Sequence, residues 1–156
     1  MKRNSGRSMQ VKFIDDNVAF GRMPYPDEID ELKKKFDAFV VLVEDFELAY
    51  DLEMLKDRNV LHSPIPDFTA PSLEQLLEIL RWIEEKVKEG KKVFIHCYGG
   101  SGRSGTVAVA WLMYRYGLNL REALREIRLL KPSAVETEDQ LEVLKELERW
   151  TKCNQG

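Results

Sequence analysis

The sequence predicts an α/β fold, a single domain with a central, mostly parallel sheet flanked by helices. Three features predict it. Short β-branched apolar runs alternate with helical patterns through the middle of the chain, helical patterns alone close it, and no repeat or composition boundary divides it. At 156 residues, 44% hydrophobic and 33% charged, the chain is long enough to bury a core and has the balance of a globular protein.

Residues 1–10, MKRNSGRSMQ, are positively charged with no apolar stretch behind them, so they read as a disordered leader rather than a secretory signal. The folded domain is expected over residues 11–152, with a frayed tail at 153–156. VKFI and NVAFG are two short strands closed by Gly21 and Pro24. From Tyr25, the residues Tyr25, Ile29, Leu32 and Phe36 recur at helical spacing. AFVVLV, Ala38 to Val43, is a continuous run of the kind a buried parallel strand shows. Leu48, Leu52 and Leu55 mark a short helix, and NVLHSPI is a strand ending at Pro64 and Pro66. The next helix carries the strongest signals. Ser72 and Gln75 form a capping box, Leu73, Leu76, Leu77, Leu80, Ile83 and Val87 make one apolar stripe, and Gly90 follows the end. KVFIH is another buried strand. Three helical patterns follow: one containing Trp111 and Leu112, one from Asn119 to Pro132, and one opening at Thr137.

The formal charge of −3 argues against nucleic acid or an anionic membrane as partner. No apolar run approaches the roughly 20 residues a membrane span needs. Two cysteines make no disulfide framework, which points to the reducing cytoplasm. No His, Cys and Asp cluster has ligand spacing, so neither a metal nor another cofactor is expected, and a monomer is expected.

In parallel sheets ligands collect at the carboxyl ends of the strands. There the sequence reads HCYGGSGRSGT, between the KVFIH strand and the helix that begins near Arg103. Glycines let the backbone curl until successive N–H groups point inward as an anion nest, here from Tyr98, Gly99, Gly100, Ser101 and Gly102. The next helix adds its free N–H groups and the positive end of its dipole. Arg103 can lay a planar fork of donors across a tetrahedral oxyanion. The loop is therefore built for phosphate or a similar oxyanion. Cys97 lies at the lip of this positive field, and such surroundings favour the thiolate, the nucleophilic form. A lone cysteine after an apolar strand is ordinarily a small buried hydrophobe. That reading leaves unexplained why a cysteine and an arginine bracket one five-residue glycine loop. A Walker loop is excluded, because no Gly-Lys-Ser/Thr is present.

The stretch HCYGGSGRSG resembles the HC-x5-R-[ST] signature of cysteine-dependent phosphatases. GRMPYPDEIDELKKKFDAFVVLVED, SPIPDFTAPS and KPSAVETEDQ extend the resemblance, from about Val11 to the last helix, to the small atypical dual-specificity protein phosphatases. The resemblance implies a phosphocysteine mechanism with Cys97 as nucleophile and Arg103 as phosphate binder. It implies Asp67, in SPIPDF, as general acid, against a reading of Asp67 as a turn-forming loop aspartate. Glu136 is the rival acid, or a carboxylate placed in a first helical turn. Gln140 matches a family glutamine that orients the hydrolytic water, and equally forms a capping box with Thr137. Ser104 would donate to the cysteine sulfur or cap the helix. His96 is expected to tie the loop together, His62 to be structural, and Cys153 to be a free surface thiol.

The loop interior lacks the basic residues of relatives that take polyphosphorylated inositol lipids. Phosphorylated proteins are therefore the expected substrates, phosphotyrosine with some phosphoserine and phosphothreonine. The alternatives are an RNA 5′-triphosphatase, a rhodanese-type sulfur transferase, and a module that binds phosphoproteins without hydrolysing them.

Overall fold

The computed structural model describes residues 10–154. The expected leader up to residue 9, and residues 155–156 of the expected tail, lie outside the described residues. Five strands, β1 (Lys12–Phe13), β2 (Val18–Gly21), β3 (Ala38–Val41), β4 (Asn59–His62) and β5 (Val93–His96), form one sheet in the order β1-β2-β5-β3-β4. Only β1 runs antiparallel to its neighbour. Val18, Ala38 and Val93 stand side by side, as do Gly21, Val41 and His96. The three central strands thus end level, and their exits form one edge.

Helix α1 (Ile29–Lys35) links β2 to β3, and α2 (Leu73–Lys88) links β4 to β5. Helix α3 (Arg103–Tyr116) leaves β5, and α4 (Leu120–Leu130) and α5 (Glu138–Asn154) close the chain. Helix α3 is buried continuously from Arg103 to Met113 and packs on β2, β5, α2, α4 and α5. A helix apolar on every side belongs in the core. Gly117, at φ 74°, ends it in the left-handed conformation. The C-terminal half of α3 is tied to the β1–β2 turn, where Asp15 Oδ2 accepts from Trp111 Nε1 (2.9 Å) and Tyr116 Oη (2.7 Å). Burial works against ionisation of Asp15, yet these bonds and the Asn17 and Val18 N–H groups hold its carboxyl below the usual range.

Several elements differ from the sequence expectation. The run Ala38 to Val43 is buried throughout but leaves the ladder at Val41. Leu42 N then reaches back to His96 O, and Ile65 N donates to Leu42 O, so the last two residues are a buried loop. Leu48, Leu52 and Leu55 do not share one helix. Two 3-10 turns, Asp45–Glu47 and Leu52–Leu55, take its place, because Glu44 and Asp51 each start a separate hydrogen-bonded cap. The helix expected from Tyr25 opens as a 3-10 turn at Pro26–Glu28 and becomes α-helical at Ile29. Half of the Ser72 box forms. Ser72 Oγ accepts from Gln75 N, while the Gln75 amide donates instead to Ser63 Oγ and Pro64 O. The residues of the stripe do what their spacing demands, with Leu76, Leu80 and Ile83 fully buried, each contributing about 1.5–3 kcal/mol. Helix α5 continues through Asn154, so Cys153 lies in a helix and is exposed.

Candidate active site

Strand β5 lies between β2 and β3, so the loop that follows it, Cys97–Gly102, emerges at the centre of the edge. Main-chain bonds fasten it on several sides. Met23 N donates to Tyr98 O (3.0 Å), and Val135 N donates to Ser101 O (3.1 Å). The Ser101 and Ser133 hydroxyls lie 2.6 Å apart. Gly100 has φ +82°, and a side chain there would stand 2.8 Å from Arg22 N, so this glycine serves both conformation and close approach.

Beneath the loop, His96 is fully buried, its imidazole pushed down to about 4, first by burial and further by the positive charge of Arg103. The ring is therefore neutral at pH 7. Its Nδ1 lies 3.0 Å from Cys97 O, which can only accept, so Nδ1 carries the proton. Nε2 must then accept, and Tyr50 Oη donates to it across 2.8 Å. Burial keeps the Tyr50 phenol protonated. This pairing holds the Cys97 carbonyl away from the loop interior.

Cys97 is 2% exposed. Its Sγ accepts from Gly100 N (3.3 Å) and lies 3.1 Å from Ser104 Oγ. Gly102 is the N-cap of α3 and no side chain caps that end, which leaves the Ser104 hydroxyl for the sulfur. The pocket above is lined by Cys97, Tyr98, Gly99, Ser101, Gly102 and Arg103. Asp67, Phe68 and Glu136 complete its wall. Gly100 anchors the loop from behind. A larger groove between β1, α3 and α4, lined by Phe13, Leu112 and Leu118, lacks such a set of inward donors.

Arg103, its side chain 1% exposed, is held from outside the signature. Its Nη1 donates to Glu47 Oε2 (2.9 Å) and Ile65 O (2.8 Å), and Nη2 donates to Glu47 Oε1 (2.8 Å). The fork expected to face an oxyanion is thus occupied by Glu47. Available to an anion are the Nε–H, which has no protein partner among the described residues, and the Nη2 proton on the side of Asp67 Oδ1, 3.2 Å away. The Arg103 hydrogen bond holds the Glu47 carboxyl below its ordinary range. Burial opposes the Arg103 charge, but Glu47, Cys97 and Asp67 together outweigh it and raise the guanidinium further.

Asp67 sits in the turn Pro66–Thr69, its Oδ1 accepting from Phe68 N (2.9 Å). Phe68 has φ +62°, which a non-glycine side chain seldom adopts, and its ring is 64% exposed. Val135, β-branched at φ +67°, is a stronger outlier. Arg128 secures it, Nε donating to Ala134 O (2.9 Å) and Nη2 to Val135 O (3.1 Å). Thereby the Glu136 carboxylate is laid over Gly102, where a methyl group would collide with it. Gly105 gives the same segment room, since a side chain there would meet Ala134 Cβ at 3.0 Å. Two glycines of the signature thus also make space for the 134–136 segment.

Gln140 is fully buried and does not line the pocket. Its Oε1 accepts from Glu136 N and Thr137 N, its own N–H donates to Thr137 Oγ1, and Nε2 donates to Thr69 O (3.1 Å). The capping role is thus present, and the amide ties the Asp67 turn to α5. His62 is half-buried, with Nε2 2.8 Å from Val43 O. Among the described residues no group of three or more His, Cys, Asp or Glu side chains is arranged to hold a metal.

Glu47 and Tyr50 carried no spacing signal that tied them to the signature. The position of Glu47, just beyond an apolar strand that would end beside the loop, was the available clue.

A thiol and a buried arginine on one glycine loop, at the carboxyl edge of a parallel sheet, define a cysteine-based phosphatase. The chain belongs to the dual specificity phosphatase catalytic domain family, which matches residues 23–150. A crystal structure of Tk-PTP in its active form is 67% identical, with TM-score 0.89, covering 90% of this chain and 97% of that one. PTPMT1 in complex with PI(5)P shares the fold at 22% identity and TM-score 0.87, over 94% of this chain and 99% of that one. The Arabidopsis thaliana phosphatidylglycerophosphate phosphatase PTPMT2 is 26% identical over 87% of this chain. This chain spans 61% of that protein and 36% of Arabidopsis thaliana PTPMT1.

Proposed function

We propose that this phosphatase acts on proteins in the cytoplasm, hydrolysing phosphotyrosine and, with it, phosphoserine and phosphothreonine. The observation that carries this reading is the pocket's composition: anion donors around Cys97, with the rings of Phe68 and Tyr98 in its lining. Two exposed aromatic walls suit a phenyl ring. In the first step Cys97 Sγ attacks phosphorus, an S–P bond forms, and the P–O bond to the leaving group breaks. A carboxylic acid gives its proton to the departing oxygen. In the second step water attacks phosphorus and gives a proton to the carboxylate left by the first step, the S–P bond breaks, and Ser104 stabilises the released thiolate. The loop N–H groups and Arg103 carry the charge that builds on the phosphoryl oxygens.

Asp67 is the acid in this reading. Its contact with Arg103 is one that incoming phosphoryl oxygens would displace, freeing the carboxyl toward the leaving group. Glu136 is the second candidate, favoured by its place in the pocket wall without an ion pair among the described residues. A phosphomonoester lipid is the competing substrate class, supported by the named activities of the Arabidopsis relatives.

The test is hydrolysis of p-nitrophenyl phosphate and of a phosphotyrosine peptide across pH, with chelator present. The wild type should turn over both, and Cys97→Ser should turn over neither. The basic limb of the profile should vanish in Asp67→Asn. Its loss in Glu136→Gln instead reassigns the acid. Binding of phosphopeptide without turnover would overturn the enzyme reading.

A further inference from the structure

The edge that holds the pocket carries opposed charges. Arg103 is buried, its Nε–H has no protein partner among the described residues, and it lines the pocket above Cys97. Around it lie five segments, residues 22–28, 44–47, 63–70, 97–103 and 133–140, which together contain nine acidic side chains and two basic ones. Both cations are engaged, Arg22 with Glu28 at 2.8 Å and Arg103 with Glu47 at 2.8 Å. The Asp45 side chain is 90% exposed, Asp67 is 45% exposed, and Glu138 and Asp139 are exposed in the first turn of α5. Large rings stand open among them, Phe46 at 83%, Phe68 at 64% and Tyr98 at 59%.

Phe46 and Phe68 each follow an aspartate, in Asp45-Phe46 and Asp67-Phe68. An exposed ring beside a carboxylate suits a lysine or arginine, whose stem covers the ring while its charge meets both the π face and the acid. We infer that the partner of this edge is a polypeptide whose phosphorylated residue is flanked by lysine or arginine. The inference rests on the protein-phosphatase reading and adds the sequence context the site selects. Acidic phosphopeptides, RNA and anionic bilayers would bring further negative charge within a Debye length of these carboxylates, which slows encounter and weakens docking.

The experiment compares kcat/KM for two phosphotyrosine peptides that differ only in lysine and arginine against glutamate at the flanking positions. In the wild type the basic peptide should be favoured by about tenfold or more in dilute buffer, falling toward parity in about 0.5 M salt. The variant combining Asp45→Asn and Phe46→Ser should shrink that preference several-fold. A ratio of one or below, or a ratio blind to salt, overturns the inference. So does faster hydrolysis of a phosphomonoester lipid in anionic vesicles than of the basic peptide. p-Nitrophenyl phosphate, which has no flanking residues, is assayed in parallel. If both peptides are hydrolysed equally, the context selection alone is wrong. If neither is hydrolysed while the aryl phosphate is, the protein-substrate reading falls and takes the inference with it.

Discussion

Acidification should weaken this protein through one side chain beneath the signature loop. Unfolded His96 takes up a proton near 6.5, whereas in the folded protein burial beside Tyr50 and Phe94 outweighs the opposing bond to the Cys97 carbonyl and defers protonation to about 4. Across that window the unfolded chain holds more protons, so stability falls as pH falls and the loss is complete only below the folded value. A shift of that size corresponds to about 3 kcal/mol, a large share of the ~5–15 kcal/mol that holds a domain together. The perturbation is His96→Asn, which removes the titration. The assay is urea unfolding at half-unit steps between pH 7 and 4. Asp15 and Glu47, with carboxyls held below their ordinary range, also lose their contributions as pH falls, but they do so in both proteins and cancel in the difference. The wild type should lose about 3 kcal/mol more than the variant between pH 7 and 4. Parallel stability curves would refute the reasoning, because His96 would then bind its proton equally well in both states.

Replacing Glu47 by Gln should destabilise the fold by about 3 kcal/mol, since Arg103 would remain buried without its bidentate partner and with only the half-exposed Asp67 carboxylate against it; urea unfolding gives the cost, and kcat/KM on an aryl phosphate should fall with it. Gly100→Ala should cost more than about 1 kcal/mol, from its positive φ and its contact with the Arg22 backbone. Gly99→Ala, with nothing within 4 Å of the new methyl group, should unfold within about 1 kcal/mol of the wild type. Arg128→Gln should release the 134–136 segment and lower kcat on p-nitrophenyl phosphate by about tenfold, with a shifted pH profile that a general loss of stability would not produce.

The layout of the fold was legible because its signals are local. Alternating β-branched runs and helical stripes announce strands and helices within ten or fifteen residues, and the glycine loop between KVFIH and α3 declares an anion cradle in its own eleven letters. The supports of that cradle were not legible. Glu47 grips Arg103 across 56 positions and Tyr50 bonds His96 across 46, separations at which no periodicity speaks. The glycines mislead for a related reason. Composition suggests only the nest, while Gly102 and Gly105 also make room for a segment some thirty residues downstream. Gln140 shows the converse case, where the T-x-x-Q spacing read from sequence describes its bonding well. The helix expected around Leu52 dissolved into 3-10 turns because two acidic caps outcompete one continuous helix over so short a span.

The edge of the sheet draws its parts from Met23, Glu47, Asp67, the 97–103 loop and Val135. No stretch of chain contains all of them, so full activity requires segments far apart in the chain to be in place together. During refolding, return of full activity should therefore lag behind return of helix signal.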